Sequence, residues 1–256
     1  TKYRDMIMSW TRGRLLASCY KNGATITYKY DGNGLRCEKT RNVNSENTIT
    51  TKFLVDNNGR IVREKRSGKW SSEDYSKTLY YIYCNTGIMG FRVGVVSTYL
   101  YRRNFLGDIT AIYKNNECVA KYVYDTNGVC KVLNPDGTEN TNADFIGNIN
   151  PFRYRGYYYD VETKLYYLQS RYYDPAVGRF INADSLEYLD PESAGGLNLY
   201  AYCNCNPVMY VDPEGTAFWI FLFIAVTAII GAGIAAAKAV DEGKEGWELV
   251  LSLIHI

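Results

Sequence analysis

Aspartate and glutamate carboxylates are the side chains of this sequence that could carry out a reaction. The chain has one histidine, His255, and shows neither a glycine-rich phosphate-binding loop nor the HExxH motif of zinc peptidases. Ser-His-Asp and Cys-His catalysis both need a histidine. His255 lies in residues 251–256, which read like a translated sequencing adapter, so these arrangements are excluded. Any reaction must therefore be run by carboxylates.

Several aspartates stand at turns, where a structural role is the simplest interpretation. An aspartate before proline commonly caps its own turn by accepting backbone N–H bonds. This interpretation applies to Asp174, Asp190 and Asp212, each of which precedes a proline. It also stays open for Asp184, which follows a predicted strand.

Residues 151–215 form the segment that must position these aspartates. Aromatic and aliphatic residues alternate with polar ones around Tyr157–Asp160, Leu165–Leu168 and Arg171–Tyr173, which predicts short β-strands. Asp-Pro, Asn-Pro and Gly-Gly turn signals lie around and after these strands. The segment therefore predicts a set of hairpins closed by rigid turns.

The same segment resembles a known protein family. The strings RYRGYYYD, ETKLYYLQSRYYDPAVGRFINAD and GGLNLYAYCNCNPVMYVDPEG closely resemble the RHS-repeat-associated core of the RHS/YD-repeat proteins. The resemblance implies a β-shell that encloses a C-terminal toxin segment, with the core (151–215) closing one end of the shell. In many members of the family the chain is cut just after the final DPxG.

The resemblance also implies an intramolecular aspartyl-type autoprotease, in which two aspartates act on the peptide bond that follows. Two carboxylates a few ångströms apart cannot both ionise, so they share a proton, and one polarises the carbonyl while the other activates water. The downstream partner corresponds to Asp212. The upstream partner is Asp184, with Asp190 as second choice because Ser185 stands where the family often has proline. Thr216 replaces a frequent leucine, so the scissile bond is not marked.

Residues 1–150 contain an irregular repeat. A strand, an Asp-x-x-Gly turn and a second strand recur at Tyr28–Arg36, Leu54–Ile61 and Tyr122–Val129, with a weaker copy at Phe105–Ile109. Each predicts a hairpin whose glycine supplies a positive φ. The pattern resembles YD repeats. The expected fold class is therefore all-β, with YD-repeat hairpins forming part of a spiral β-shell that an RHS core closes and an apolar C-terminal helix follows.

Composition sets the remaining limits. The 25 tyrosines and 46% hydrophobic residues are typical of packed β-sheet. A net charge of +2, with the charges dispersed, predicts no nucleic-acid binding by the shell. Seven cysteines, including the neighbouring Cys203 and Cys205, form no regular framework. Free thiols are therefore favoured over disulfides or zinc, and no metal or cofactor is expected.

An apolar stretch without charged residues, Ala217–Ala237, opens the variable region 216–250. As a helix it is long enough to cross a hydrocarbon core of about 30 Å. Three interpretations stay open: a membrane-active or membrane-spanning helix, an apolar segment packed inside the shell before release, and a buried soluble helix. Residues 251–256, LSLIHI, read like a translated sequencing adapter, and Thr1 at the start predicts that the chain is a fragment.

The function expected from the resemblance is the C-terminal part of an RHS toxin-delivery scaffold, secreted or associated with a bacterial cell surface or membrane. Its expected partners are a C-terminal toxin segment in cis, an immunity protein and a membrane. The alternatives are a non-catalytic adhesion or carbohydrate-contacting protein, a membrane tether through 217–237, and a structural module left from a larger gene. The carboxylates beside an abrupt change of composition favour the toxin scaffold.

Overall fold

The computed structural model describes residues 1–95, 97–184, 198–203, 206–207 and 212. These residues form two antiparallel β-sheets, with a short α-helix (Ile146–Ile149) and a 3-10 turn (Tyr154–Gly156) between them. The expected all-β class is confirmed for this part of the chain. The apolar stretch 217–237 and residues 251–256 lie outside it. Within the described ranges, no helix is long and apolar enough to cross a membrane.

The large sheet has thirteen strands in sequence order, each antiparallel to the next. The strands are β1 (Lys2–Tyr3), β2 (Met6–Thr11), β3 (Leu15–Lys21), β4 (Ala24–Tyr30), β5 (Arg36–Asn44), β6 (Asn47–Val55), β7 (Ile61–Trp70), β8 (Glu73–Cys84), β9 (Gly87–Val93), β10 (Ser97–Arg103), β11 (Ile109–Lys114), β12 (Glu117–Tyr124) and β13 (Cys130–Leu133). Each strand pairs with the one before it through a hairpin. This meander confirms the strand-turn-strand pattern of the repeats.

One face of the large sheet is buried. In β4, Ala24, Ile26 and Tyr28 are buried and the residues between them are exposed. This period of two places one face against a hydrophobic core and the other in solvent. The same core contains Tyr167 and Tyr172 of the second sheet. The two sheets therefore share one core.

The small sheet consists of β14 (Tyr158–Asp160), β15 (Leu165–Leu168), β16 (Arg171–Asp174) and β17 (Arg179–Phe180). Its first three strands match the three predicted for the core. Every residue of β15 and β16 is buried, because the sheet is covered by the large sheet on one face and by a second tyrosine cluster on the other. Its tyrosines are the main packing material.

The Asp-x-x-Gly turns share one hydrogen-bond pattern. Asp31 Oδ1 accepts the backbone N–H groups of Asn33 and Leu35, each at 2.9 Å. The Gly34 N–H donates to the Asp31 carbonyl, with a glycine φ of 82° that other residues rarely adopt. The same pattern recurs at the turns 56–60, 104–108 and 125–129. In the weaker copy Asn104 takes the aspartate position.

The Asp-x-x-Gly turns lie at one edge of the large sheet, because every second hairpin of an antiparallel meander returns to the same edge. The core segment packs against this edge. The Tyr166 hydroxyl donates to the Gly128 carbonyl at 2.9 Å, and Arg155 binds Asp108 at 3.2 Å. A Cβ on Gly128 would lie 2.5 Å from the Tyr154 ring. Glycine is therefore needed at this turn for close packing as well as for backbone conformation.

The first and last strands of the large sheet both contact β16. The Tyr173 hydroxyl donates to the Asn127 carbonyl, in the turn between β12 and β13, at 2.8 Å. The next residue, Asp174, accepts hydrogen bonds from Tyr3 and Arg4 at the start of the sheet, each at 3.0 Å. The large sheet therefore curls around the small one until its two ends lie on either side of a single strand.

Candidate functional site: two aspartates on one arginine

Three separate segments bring the candidate site together. Arg171 is the first residue of β16, and Asp184 follows β17. The Asp184 N–H donates to the Leu199 carbonyl at 3.0 Å, and the Phe180 N–H donates to the Tyr200 carbonyl at 3.0 Å. These bonds hold residues 198–201 beside β17 and fix the chain at Phe180 and at Asp184.

Arg171 binds both of the aspartates that the family resemblance had pointed to. Its Nη1 lies 2.9 Å from Asp184 Oδ2, and its Nη2 lies 3.1 Å from Asp212 Oδ2. All three side chains are less than a tenth exposed. The structure therefore places Asp184 and Asp212 in one buried cluster, with a guanidinium connecting them.

Aromatic residues complete the surroundings of this cluster. The Arg171 guanidinium carbon lies 3.7 Å from the centre of the Phe180 ring, a short cation–π contact. The Tyr157 hydroxyl donates to the Asp212 carbonyl at 2.8 Å and accepts from the Asp212 N–H at 3.2 Å. It also lies 3.0 Å from the Tyr202 hydroxyl. The Asp212 backbone is therefore held as firmly as its side chain.

A cation between the two carboxylates changes their electrostatics. Burial lowers the pKa of the Arg171 guanidinium, whereas Asp184 and Asp212 raise it. An arginine stays protonated in proteins at ordinary pH. Its positive charge is shared by both aspartates. The cluster differs in this respect from the bare carboxylate pair expected from the sequence.

A cysteine lies beside the cluster but is not suited to act as a nucleophile. Burial raises the pKa of Cys203 to about 12. The thiol is therefore neutral near pH 7, and the thiolate is the nucleophilic form. In the described part of the chain, no group of three or more His, Cys, Asp or Glu residues could hold a metal ion.

The remaining candidates from the sequence are Asp190, Cys205 and Asp174. Asp190 and Cys205 lie outside the described residues. Asp174 caps its own turn, as the sequence predicts, since its Oδ1 accepts the Ala176 N–H at 2.9 Å, and its second oxygen also binds Arg4. It takes no part in the Arg171 cluster among the contacts described here.

From the sequence, orienting a carboxylate is one role open to Arg171, but it is not the favoured one. Ring stacking and surface pairing are the common uses of arginines among tyrosines, yet Arg171 is 4% exposed and binds two carboxylates. One signal could have shown it. Arg171 stands in LYYLQSRYYD, a string whose neighbouring positions are mostly apolar. An arginine is seldom buried among such residues unless it is paired with a carboxylate.

Comparisons with known proteins point in one direction. No protein-family model matches the chain. The chain is 38% identical over 214 residues to tRNA nuclease WapA of Bacillus subtilis (strain 168), covering 82% of this chain and 8% of that protein. It is 38% identical over 87 residues to toxin protein Tse5 of Pseudomonas aeruginosa, covering 34% of this chain and 6% of that protein. It thus spans less than a tenth of each.

The fold also has a counterpart among solved structures. A structure of the Photorhabdus luminescens Tc holotoxin pore, with a mutation in TccC3, matches with a TM-score of 0.67 and 20% identity. The match covers 86% of this chain and 10% of that chain. At this level of identity the likeness concerns the fold alone.

Proposed function

This chain belongs to the RHS/YD-repeat proteins of the polymorphic toxin type, and from that premise we propose that it is the C-terminal part of a toxin-delivery scaffold that releases an enclosed effector by aspartate-dependent self-cleavage. The observation that carries the proposal is the shared binding of Asp184 and Asp212 to Arg171. The effector is the segment that follows the core, in cis.

Three features of the site support cleavage over a purely structural role. The two aspartates come from different segments of the chain, yet both bind the same guanidinium. Both are less than a tenth exposed, a costly position for a carboxylate unless it is paired. Asp212 stands three residues before Gly215, after which the composition changes to the apolar stretch 217–237.

The proposed reaction is hydrolysis of a peptide bond just after the core. One aspartate accepts a proton from water, whose oxygen forms a bond to the carbonyl carbon. The guanidinium of Arg171 orients both carboxylates, and its charge stabilises the negative oxygen of the tetrahedral intermediate. The carbon–nitrogen bond then breaks, and the aspartate returns the proton to the leaving amine.

Intact mass of the expressed 256-residue chain tests this function. We expect the parent to split between Thr216 and Trp219, and the Asp212→Asn and Asp184→Asn variants to stay whole. Asparagine keeps the size of aspartate but cannot accept the proton. Asp136→Asn is the matched control, because Asp136 is an exposed turn residue whose described hydrogen bonds are with Thr138.

Two results would contradict the proposal. One is a parent that remains a single chain over days between about pH 4 and about pH 8, the range over which carboxylates change charge. The other is splitting of the Asp212→Asn variant at the parental rate. Asp190→Asn decides the upstream residue: if it blocks splitting and Asp184→Asn does not, Asp190 is the partner of Asp212.

The partners and location proposed for the whole protein follow from the same family. An enclosed toxin would need an immunity protein in the producing cell, and the scaffold would act outside it, secreted or at the cell surface. The stretch 217–237 would serve as membrane-active cargo or as an anchor. A chain that fails to split, but partitions into detergent until truncated at Gly215, would favour the membrane-tether alternative over release.

A further inference from the structure

A cavity of about 470 Å³ lies between the Asp-x-x-Gly edge of the large sheet and the core segment. Its walls come from the ends of β5 to β10, from the turns around Gly59, Gly87 and Gly107, and from Gly156–Tyr158 and Tyr167–Gln169 of the core. The cavity therefore lies at the junction of shell and core, and Tyr157 belongs both to its lining and to the surroundings of the Arg171 cluster.

Four arginines line this cavity, and none of its described lining residues is an aspartate or glutamate. They come from different parts of the chain: Arg36, Arg60, Arg103 and Arg155. The carboxylates that bind three of them, Asp160, Asp56 and Asp108, are not part of the lining. The lining therefore contains guanidinium groups and no carboxylate, although three of the four guanidiniums are paired with carboxylates outside the lining.

Some of these guanidiniums have spare hydrogen-bond donors. Arg103 donates to the carbonyl and hydroxyl oxygens of Thr86, at 2.9 and 3.0 Å, and no ion pair within the described residues includes it. Nε and Nη2 of the fully buried Arg36 have no partner there, nor has Nε of Arg155. A buried donor without a partner destabilises the fold, because it has lost its hydrogen bonds to water. An oxyanion in the cavity would supply the missing acceptor.

Glycines keep this space open. A Cβ on Gly87 would lie 2.9 Å from Nη1 of Arg103, and a Cβ on Gly59 would lie 2.9 Å from the Gln169 side chain. Larger residues at these turns would press on the walls. Contacts with four aromatic rings are enough to explain the position of Arg36 in the wall of the cavity. Stacking does not explain the position of Arg103.

From this geometry we infer that the cavity is a binding site for a small phosphate-bearing anion, held mainly by Arg103 and by Nη1 of Arg60, whose Nε and Nη2 bind Asp56. Arginine forks bind phosphate oxygens in pairs. The size suits a diphosphate group better than a macromolecule. Because the walls come from both shell and core, a bound anion would join the two and stabilise the closed arrangement.

Isothermal titration of the 256-residue chain with pyrophosphate tests this site. We expect saturable binding of one pyrophosphate, tighter than orthophosphate, weakened by added salt and accompanied by a rise in the melting temperature. Arg103→Gln should weaken binding about tenfold, because one charge-assisted contact is lost. Arg102→Gln is the matched control, since this neighbour of Arg103 points outward and is exposed.

A second variant protects the test against misfolding. Arg60→Gln should weaken pyrophosphate binding in the same way if Arg103→Gln does not fold. Absence of saturable binding to the folded parent would overturn the inference, and so would equal weakening by Arg102→Gln and Arg103→Gln. Self-cleavage plays no part in this measurement, so an uncleaved parent that binds pyrophosphate leaves the site intact.

Discussion

Asp184 and Asp212 bind the two terminal nitrogens of a single guanidinium, that of Arg171, inside the tyrosine-rich core. Two carboxylates and one cation meet where water has been largely removed. Such a cluster is weak evidence for stability, because a buried ion pair costs about as much to desolvate as its attraction returns.

Arg171→Lys separates the geometry of this arginine from its charge. A single ammonium cannot hold two carboxylates with the two nitrogens of a planar fork. We expect a loss of about 1.5–3 kcal/mol in the free energy of unfolding, measured by urea denaturation, together with loss of self-cleavage by intact mass. Arg179→Lys is the control, because Arg179 is exposed and contacts the Tyr200 ring at 5.1 Å.

Tyr157→Phe tests whether the position of Asp212 matters. The variant removes the hydroxyl that binds the Asp212 backbone and Tyr202. We expect the free energy of unfolding to fall by about 1 kcal/mol and self-cleavage to slow by about tenfold or more, seen in the time course of intact mass. Tyr159→Phe removes a hydroxyl elsewhere in the same segment. Equal rates in the two variants would show that the Tyr157 hydroxyl is only structural.

Asp160→Asn tests the buried ion network that joins core and shell. Asp160 is fully buried and binds Arg36 and Lys39 of the large sheet, the latter at 2.9 Å. Removing its charge leaves the buried cations Arg36 and Lys39 with less negative charge beside them. We therefore expect a loss of about 3–5 kcal/mol in the free energy of unfolding at pH 7. Asp136→Asn, at an exposed turn, should change it little.

The pH dependence of this network has a definite sign. Burial by itself raises the pKa of Asp160, but Arg36 and Lys39 outweigh it and hold the pKa below its ordinary value. A carboxyl with a lowered folded-state pKa stabilises the protein above its unfolded pKa, about 3.9, and loses this contribution as the pH falls through the folded value. Urea midpoints of parent and Asp160→Asn should therefore converge in acid. A constant difference down to the lowest pH would contradict the assignment.

Gly128→Ala tests the close contact between a YD turn and the core. Its φ is 92°, and an added Cβ would meet the Tyr154 ring at 2.5 Å. Gly137→Ala has a similar φ of 95° with nothing within 4 Å of the added Cβ. Backbone strain of about 1–2 kcal/mol is common to both, and overpacking adds about 1–3 kcal/mol to the first alone. Equal urea midpoints would mean that Tyr154 moves aside freely.

Local patterns predicted the elements of this fold well. Strands β14, β15 and β16 lie within a residue of the predicted ones, because alternation of side chains and rigid turns are local properties. The same is true of the turns at Asp31, Asp56 and Asp125. One further turn, 134–138, was missed, although it shares their carbonyl-to-glycine hydrogen bond. Its Asn-Pro-Asp-Gly sequence is a turn signal.

The candidate site was predicted only in part, for a different reason. Asp184 and Asp212 follow from the family resemblance, and the structure brings them together. The part played by Arg171 depends on contacts across 13 and 41 positions of the sequence, which no short pattern encodes. The arginine-lined cavity likewise assembles from strands far apart in the chain. Pairs of side chains that lie far apart in the sequence can be identified only from the three-dimensional structure.

The two ends of the large sheet lie on either side of β16, where Tyr173 contacts Asn127 and Asp174 contacts Arg4. Tyr173 and Asp174 are adjacent, so their partners Asn127 and Arg4 must lie near each other. This strand therefore fixes how many hairpins separate Arg4 from Asn127. An extra repeat inserted between Arg4 and Asn127 would break one of the two contacts. If both contacts are kept, the array can therefore gain or lose whole repeats only upstream of β1. The core in this way sets the number of hairpins between Arg4 and Asn127.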